Sequence, residues 1–351
     1  MPILIPKPKP KNITPIKSEV QEIAVVKSPE PPKTDNNALV LDKSVELVEG
    51  REKKFYWIDA TVLNSIELCG QLTQYNHRLN LRLPNPDEIM ENGSFIHDLL
   101  QLHYLLMRDG SRKYNQIIEE VADYGRKSRQ QYALAPEAAD FCVNNYISYA
   151  GFYAQDGWNP LEIEATFSKV FYENEEMVIV ATGVIDLITE VKDRFTFTNA
   201  VVDHKSYYRW KQPIQLNNQL MMYSWATEIR RVIFNKVGFQ ASYTGKNLDK
   251  RYRRVQFLFT QNNIDVWERH SIYWAKEGIK YENSGFWPRN YTSCDKFRGC
   301  RYVDLCNSNE DIVEFKMKAQ FIKGKPWDPS KKEENKKLPV NATDEDTGVE
   351  E

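Results

Sequence analysis

Two acidic residues and a lysine lie close together in the middle of the chain, in GVID at 183–186 and VVDHKS at 201–206. Side chains of a β-strand alternate between its two faces, so Asp203 and Lys205 should project from the same side. A hairpin between the two strand segments would bring Asp186 beside Asp203. Two carboxylates on neighbouring strands form a hard oxygen site suited to Mg²⁺ or Mn²⁺. With a lysine to orient the attacking water, this set fits hydrolysis of a phosphodiester.

The plain alternative is that Asp-x-Lys marks a solvated strand face, as this short pattern often does. The neighbouring polar residues favour the catalytic interpretation. Glu164 lies on the strand before, and a helix follows in which polar residues recur at four-residue steps: Gln215, Gln219 and Tyr223. Residues at this spacing share one helical face. Such a polar stripe is typical of a helix that borders a polar cleft.

The order of these motifs resembles the RecB-like branch of the PD-(D/E)XK nucleases. That branch includes the RecB and AddAB nuclease domains, the CRISPR-associated exonucleases and many phage exonucleases. The matching pattern is G-x-x-D at 183–186, an apolar residue with D-x-K at 202–205, and Q-L-x-x-Y at 219–223. In that branch a helix with G-x-x-x-H precedes the strands, and Gly93 to His97 match it here.

The resemblance implies which residues bind the divalent ion. His97, Asp186 and Asp203 would be the side-chain ligands, and the backbone carbonyl of His204 would be a further ligand. Lys205 would be the catalytic lysine. A lone histidine on an amphipathic helix is more often structural, but the Gly-x-x-x-His spacing before the acidic motifs makes His97 a ligand candidate.

The resemblance also implies accessory residues. Glu164, in E-A-T-F, matches the family's E-x-x-F and would be a polar or metal-linked residue. Gln219 and Tyr223 match a family helix that faces the nucleic acid and supports the lysine. The remaining histidines have no such neighbours and are interpreted as structural: His77, His103 and His270.

Three of the five cysteines lie at six-residue steps near the C-terminal end: Cys294, Cys300 and Cys306. Thiolates usually bind zinc or an iron–sulfur cluster in fours. The RecB-like branch often carries a 4Fe–4S cluster with one cysteine from an N-terminal helix, which the resemblance assigns to Cys69. Cys142 lies among apolar helical residues and is interpreted as a buried thiol. The C-x5-C-x5-C spacing differs from the commonest family spacing, so structural Zn²⁺ stays an alternative.

Apolar periodicity predicts the elements that position these residues. The predicted helices are 61–80, 93–107, 134–153, 214–228 and 263–281. The predicted strands are 161–171, 177–190, 195–205, 231–242 and 253–260. This order predicts an α/β or α+β core with a helical N-terminal part and a C-terminal cysteine segment. The resemblance makes its centre a restriction-endonuclease-like mixed sheet flanked by helices.

Composition sets the limits of the folded part. The 351 residues, 41% hydrophobic and 12% aromatic, are enough for a large core, and a net charge of -2 argues against a uniformly basic DNA binder. Pro- and Lys-rich composition predicts disordered tails at 1–48 and 326–351 around a nuclease domain at 49–325. Without a signal peptide or an 18-residue apolar run, the chain should be cytoplasmic, with no membrane partner and with metal-binding rather than disulfide-bonded cysteines.

The carboxylate–lysine site predicts a hydrolase. The resemblance implies a divalent-metal-dependent DNA exonuclease that acts on single-stranded, tailed or duplex ends in recombination, repair or phage DNA processing. Aromatic and basic residues interleave at 207–211 and 251–254, a composition typical of strand-binding surfaces. The alternatives are a non-catalytic DNA-binding or interaction module of the same fold, and an endonuclease. The resemblance leaves protein partners in recombination or CRISPR adaptation, and the oligomeric state, open.

Overall fold

The computed structural model describes most of the chain between the two predicted tails. The described residues are 45–48, 51–84, 88–132, 134–154, 157–192, 196–207, 216–239, 247–296 and 299–324. Residues 1–44 and 325–351 lie outside them, as do 208–215 with Gln215 and most of the predicted 207–211 surface. Residues 45–48 belonged to the predicted tail, but Val45–Val48 forms a strand.

A mixed sheet forms the centre of the described structure. The strands are β1 (Val45–Val48), β2 (Arg51–Ile58), β3 (Leu81–Arg82), β4 (Trp158–Glu173), β5 (Met177–Lys192), β6 (Phe197–Tyr207), β7 (Arg231–Gly238), β8 (Tyr252–Leu258) and β9 (Ile322–Lys323). The central order is β1-β2-β5-β6-β7-β8, with β4 also on β5, while β3 and β9 form a separate pair. The β2–β5 and β6–β7 pairs are parallel and the others are antiparallel. The predicted mixed sheet is confirmed.

Strand β5 is shared by three neighbours. Strand β4 pairs with residues Val178 to Val191 of β5 and occupies one edge of that strand. Strands β2 and β6 therefore share the other edge of β5. On that edge β2 pairs with Met177–Ala181 and β6 pairs with Leu187–Lys192. We call the intervening residues 182–186 the sheet fork, because the two strands diverge there.

Helices cover both faces of the sheet. They are α1 (Ala60–Leu68), α2 (Gly70–Thr73), α3 (Glu88–Asp109), α4 (Tyr114–Ser128), α5 (Pro136–Phe152), α6 (Asn218–Thr227), α7 (Leu248–Arg251), α8 (Gln261–Ser284), α9 (Val303–Cys306) and α10 (Glu310–Gln320). One core joins α1, α6 and α8 to the sheet and includes Val201, whereas the other joins α3, α4 and α5 and includes Val202. Because consecutive strand residues face opposite ways, the two cores lie on opposite faces. Within the described residues, every helix is too short or too polar for a bilayer crossing.

The predicted helix 61–80 is interrupted at Cys69. This residue is extended, with φ of −171° and ψ of 123°, and α2 and a π-helical turn at 74–78 follow it. A tertiary contact lies at the break: the backbone N–H of Gln71 donates to the carbonyl of Pro288 at 3.0 Å, and a Cβ on Gly70 would lie 2.7 Å from Cδ of Pro288. The apolar periodicity of the sequence continues across this break, so the sequence by itself predicts one helix. The sequence analysis also assigned no element to the stretches that form β2, α4 and α10.

The packing of α1 predicts a measurable stability effect. Leu63 is fully buried between α1 and the sheet, so Leu63→Ala should lower the free energy of unfolding by about 2–5 kcal/mol in denaturant titrations. Val266→Ala is the matched control, because Val266 is 50% exposed on α8 and its truncation should cost less than about 0.5 kcal/mol. Equal losses for the two variants would contradict the assignment of Leu63 to the core.

Candidate active site

Helix α3 approaches β6 closely at Gly93. A Cβ at this position would lie 3.0 Å from Oγ of Ser206, so a larger residue would push the helix away from the strand. His97 follows one helical turn later on the same face. Its Nδ1 lies 3.7 Å from Oδ2 of Asp186. The Gly-x-x-x-His spacing therefore combines a packing requirement with the placement of an imidazole beside a carboxylate.

Asp186 lies at the end of the sheet fork. The β5–β6 ladder ends at the pair Leu187–Val202, so Asp186 and Asp203 are the next residues of the two strands, close enough for the charge of Asp186 to raise the pKa of Asp203. The Oδ2 atom of Asp186 accepts a hydrogen bond of 2.6 Å from the backbone N–H of His204. The predicted meeting of the two acidic strand positions is thus present, and a backbone donor orients one of the carboxylates.

Glu164 lies across from Asp186 on β4. Its neighbours Ile163 and Ala165 pair with Leu187 and Ile185, which places Glu164 opposite Asp186. Its φ is +51°, in the left-handed region that residues other than glycine seldom adopt. Such conformations cost about 1–3 kcal/mol and cluster at functional sites. The sequence pattern identified Glu164, but it contained no sign of this backbone conformation.

Asp203 and Lys205, two residues apart on one face of β6, form an ion pair. Asp203 is fully buried, and its Oδ1 accepts a hydrogen bond of 2.9 Å from Nζ of Lys205. Its second oxygen, Oδ2, has no hydrogen-bond partner among the described residues. A buried carboxylate oxygen without a donor is rare and costly. This oxygen is therefore suited to a cation, and it fits the predicted divalent ion.

Burial and neighbouring charges act in opposite directions on these groups. Burial, together with the charge of Asp186, raises the pKa of Asp203 in spite of Lys205. Burial alone would also raise the pKa of Asp186, but the His97 and His204 imidazoles and Lys205 lower it. Burial would lower the pKa of Lys205, yet the two carboxylates raise it. Lys205 is therefore an ammonium at neutral pH, able to donate protons in hydrogen bonds but not to act as a base.

Tyr223 closes the sheet fork from α6. Its hydroxyl donates a hydrogen bond of 2.7 Å to the backbone carbonyl of Val184, which lies where β2 and β6 diverge. Gln219 Nε2 in turn donates to the Tyr223 hydroxyl at 2.8 Å. Burial and the nearby carboxylates keep the pKa of Tyr223 well above its usual range. The predicted polar stripe of Gln219 and Tyr223 thus faces the acidic pair. The Tyr223 hydroxyl provides the hydrogen-bond donor for the Val184 carbonyl.

The predicted ligands do not form a ready metal-binding cluster. In the stretches that the structure describes, no group of three or more His, Cys, Asp or Glu side chains lies at metal-ligand spacing. Asp203 is bonded to Lys205, and Asp186 lies against His97. The assignment of these side chains to a metal ion therefore stays a prediction.

The sequence profile of the PD-(D/E)XK nuclease superfamily matches residues 60–307, which include the sheet fork and all the predicted ligands. The chain belongs to this superfamily. No curated protein matches the chain.

Two solved structures resemble this nuclease weakly. A protein named SSO0001 shares 15% identity over 72% of this chain and 86% of its own, with a TM-score of 0.34. A candidate exonuclease from Eubacterium rectale shares 9% identity over 72% of this chain and 94% of its own, with a TM-score of 0.40. Scores this low support no argument about function.

The four predicted cluster cysteines of this nuclease line one cavity. It has a volume of about 270 Å³, and we call it the cysteine cavity; its cysteines are Cys69, Cys294, Cys300 and Cys306. The Cys294 segment is bonded to the end of α1, since Ser293 Oγ donates to the carbonyl of Leu68 at 2.9 Å. Burial raises the pKa of Cys306 to about 11, with the neighbouring cysteines adding to the effect. Cys142 lies elsewhere, fully buried in α5 beside Asn92.

A second amide residue on α6, Asn218, holds the active-site helix in place. Asn218 Nδ2 donates to Oδ1 of Asn64 at 2.9 Å and to Oε1 of Glu67 at 2.8 Å, both on α1. Its Oδ1 accepts from Nε1 of Trp267 on α8 at 2.9 Å. Sequence reasoning missed Asn218, because nothing in local spacing indicates a bridge between three helices.

The second predicted DNA surface, at 251–254, is wrong in most of its residues. Arg251 is buried and donates to the carbonyl of Gly238 at 3.1 Å, and Tyr252 is buried beside it. Arg254 lies over the Trp158 ring, 3.5 Å from its centre. Of these four residues Arg253 is the exposed one. The alternating aromatic and basic residues here serve the packing of strand β8. Composition alone cannot distinguish such packing from a binding surface.

The bond that closes the sheet fork is open to a direct test. Tyr223→Phe leaves the Val184 carbonyl without its donor, and the free energy of unfolding should fall by about 1–3 kcal/mol in denaturant titrations. Tyr273→Phe is the control, because Tyr273 is 56% exposed on α8 and should lose less than about 0.5 kcal/mol. Indistinguishable losses would show that the Tyr223 hydroxyl does not hold the fork.

Proposed function

We propose that this nuclease is a divalent-metal-dependent DNA exonuclease of the RecB-like branch. The observation that supports the proposal is the convergence of His97, Asp186, Asp203 and Lys205 at the end of the sheet fork. The four side chains come from one helix and two strands, and their contacts place an imidazole, two acids and an ammonium next to one another. That combination suits cleavage of a phosphodiester.

The residues that would hold the ion are His97, Asp186, Asp203 and the backbone carbonyl of His204. The partnerless Oδ2 of Asp203 is the oxygen that fits a cation best. A divalent ion bound there would supply a Lewis acid that polarises the phosphate and makes water more acidic.

Lys205 acts as a fixed positive charge in the proposed mechanism. Its Nζ is held by Oδ1 of Asp203 and is partly exposed, so it can reach a phosphate oxygen while it remains protonated. There it would stabilise the negative charge that builds on the phosphate during attack. It would also orient the water by donating a hydrogen bond.

Gln219, Tyr223 and Glu164 would support this arrangement. Tyr223 anchors the wall of the cleft through the Val184 carbonyl, which leaves the Gln219 side chain beside the acidic pair to contact the substrate strand. Glu164, opposite Asp186, would orient that carboxylate or a water next to it. DNA as substrate and the preference for strand ends come from the resemblance to exonucleases.

We also propose that the cysteine cavity holds a 4Fe–4S cluster, with Zn²⁺ as the alternative. The fit rests on four thiols lining one cavity and on their mutual effect on the thiol pKa values. A cluster or a zinc ion would supply a cross-link between α1 and the last described helices.

Substitution of the two central residues tests the nuclease site. Asp203→Asn and Lys205→Ala should lower the rate of nucleotide release from linear DNA at least about 100-fold, because each removes charge stabilisation of the transition state. Lys280→Ala is the control, since Lys280 lies exposed on α8. Release is measured with Mn²⁺ and with EDTA, and melting temperatures confirm that the variants fold.

The same assay separates the proposed activities. Release of nucleotides from linear DNA, with covalently closed circles left intact, is the result expected of an exonuclease. Cutting of closed circles would instead identify an endonuclease. Undiminished cleavage by both Asp203→Asn and Lys205→Ala would refute the site assignment.

The cluster proposal has its own measurement. Cys294→Ser should lose bound iron and melt at a lower temperature after anaerobic purification, because one of the four thiolates is gone. Cys142→Ser is the matched control and should retain its metal, since Cys142 lies outside the cysteine cavity. Stoichiometric zinc instead of iron in the purified wild-type protein would show that the cavity is a zinc site. A metal-free wild-type protein would rule out both metals.

A further inference from the structure

The side chain of His204 lies in an unusual environment beside the active site. The ring is buried and stacks on Tyr104, with 5.4 Å between ring centres and 2° between planes. It projects to the face of β6 opposite Asp203 and Lys205, toward α3. Its Nε2 atom has no hydrogen-bond partner among the described residues. A buried polar atom of this kind needs an explanation.

A hydrogen-bond network fixes which nitrogen of His204 carries the proton. Arg254 Nε donates to Oδ1 of Asn235 at 3.3 Å, so the amide oxygen of Asn235 faces the arginine. The amide nitrogen of Asn235 then faces His204 and donates to its Nδ1 at 2.7 Å. Because Nδ1 accepts a hydrogen bond, the proton of the neutral ring lies on Nε2.

The arginine that sets this tautomer is itself held firmly. The Arg254 guanidinium lies 3.5 Å from the Trp158 ring centre and 3.7 Å from that of Tyr153. Its Nη2 also donates to the hydroxyl of Tyr149 at 3.1 Å. An arginine side chain always donates and is never deprotonated in proteins. The direction of the whole network, and the proton on Nε2, therefore follow from a permanent cation.

The free N–H is directed toward the metal-site strand. Asn235 pairs with His204 across the β6–β7 ladder, so Nδ1 faces β7 and Nε2 lies on the other side of the ring. On that side β5 carries Asp186, and the His97 ring lies edge-on with 6.1 Å between ring centres. The backbone N–H of His204 already donates to Asp186 Oδ2.

We propose that the His204 imidazole is a positioning residue of the metal site, whose Nε2–H donates to the Asp186 carboxylate through one water. His204 would then hold Asp186 with two donors, one from its backbone and one from its ring. This role is separate from that of the backbone carbonyl, and it rests on the proposed metal site. Groups that orient metal ligands in this way typically contribute 10–100-fold to metal affinity.

Two amide substitutions separate the two ring nitrogens. The amide nitrogen of glutamine lies near the position of imidazole Nε2, whereas that of asparagine lies near Nδ1. His204→Asn should raise the Mn²⁺ dissociation constant about 10–100-fold, and His204→Gln should bind Mn²⁺ nearly as well as the wild type. Binding of Mn²⁺ alone to the full chain is followed by electron paramagnetic resonance, so the readout does not depend on cleavage.

A second variant and a matched control complete the experiment. His204→Phe keeps a ring against Tyr104 but has no donor, and it replaces the asparagine variant if that one does not fold. His103→Asn and His103→Gln alter another buried imidazole, on α3, and should leave the Mn²⁺ dissociation constant unchanged.

The outcomes distinguish the inference from the proposed function. A wild-type protein that binds no Mn²⁺ would overturn the metal site and this inference with it. If the wild-type protein binds Mn²⁺ and the folded His204→Asn or His204→Phe variant binds it equally well, the role of His204 alone is overturned. Weak binding by both His204→Gln and His204→Asn would show that the ring serves packing, which also overturns it.

Discussion

The second edge of β5 is left without a paired strand at residues 182–186, and the active site depends on that gap. Two strands share one edge of β5 and diverge at residues 182–186, which leaves polar backbone groups inside the fold. A buried carbonyl or N–H needs a partner. The Tyr223 hydroxyl supplies one for Val184, and the Asp186 carboxylate accepts from the His204 backbone.

The two helical layers contribute different chemistry to the fork. On the side of α3 lie two imidazoles, His97 from α3 itself and His204 from β6. On the side of α6 lie Asp203 and Lys205. Buried charges persist only where they are paired. The ion pair on one face and the neutral, hydrogen-bonded His204 on the other satisfy this rule. Among the described residues, the Oδ2 oxygen of Asp203 is the partnerless carboxylate oxygen at this site, and a cation adds most there.

The chain end and the first helix are joined at the cysteine cavity. The contact between Leu68 and Ser293 spans 225 positions, so it closes a long loop around the nuclease core. The interruption of the helix at Cys69 turns its thiol toward that cavity, and Asn218 ties the same helix to α6. The cysteine cavity and the active-site helix thus share α1 as a common support.

The sequence by itself determined what local periodicity controls. Strand alternation placed Asp203 and Lys205 on one side, helical spacing placed His97 one turn after Gly93, and apolar runs predicted the central strands, whereas the mixed sheet followed from the family resemblance. Only the tertiary structure decided the break at Cys69, the left-handed Glu164, the bridge made by Asn218, the burial of Arg251 and the stacking of Arg254 on Trp158. Each of these results from contacts between residues far apart in the chain. Such contacts depend on how the layers pack, which no short stretch of sequence records.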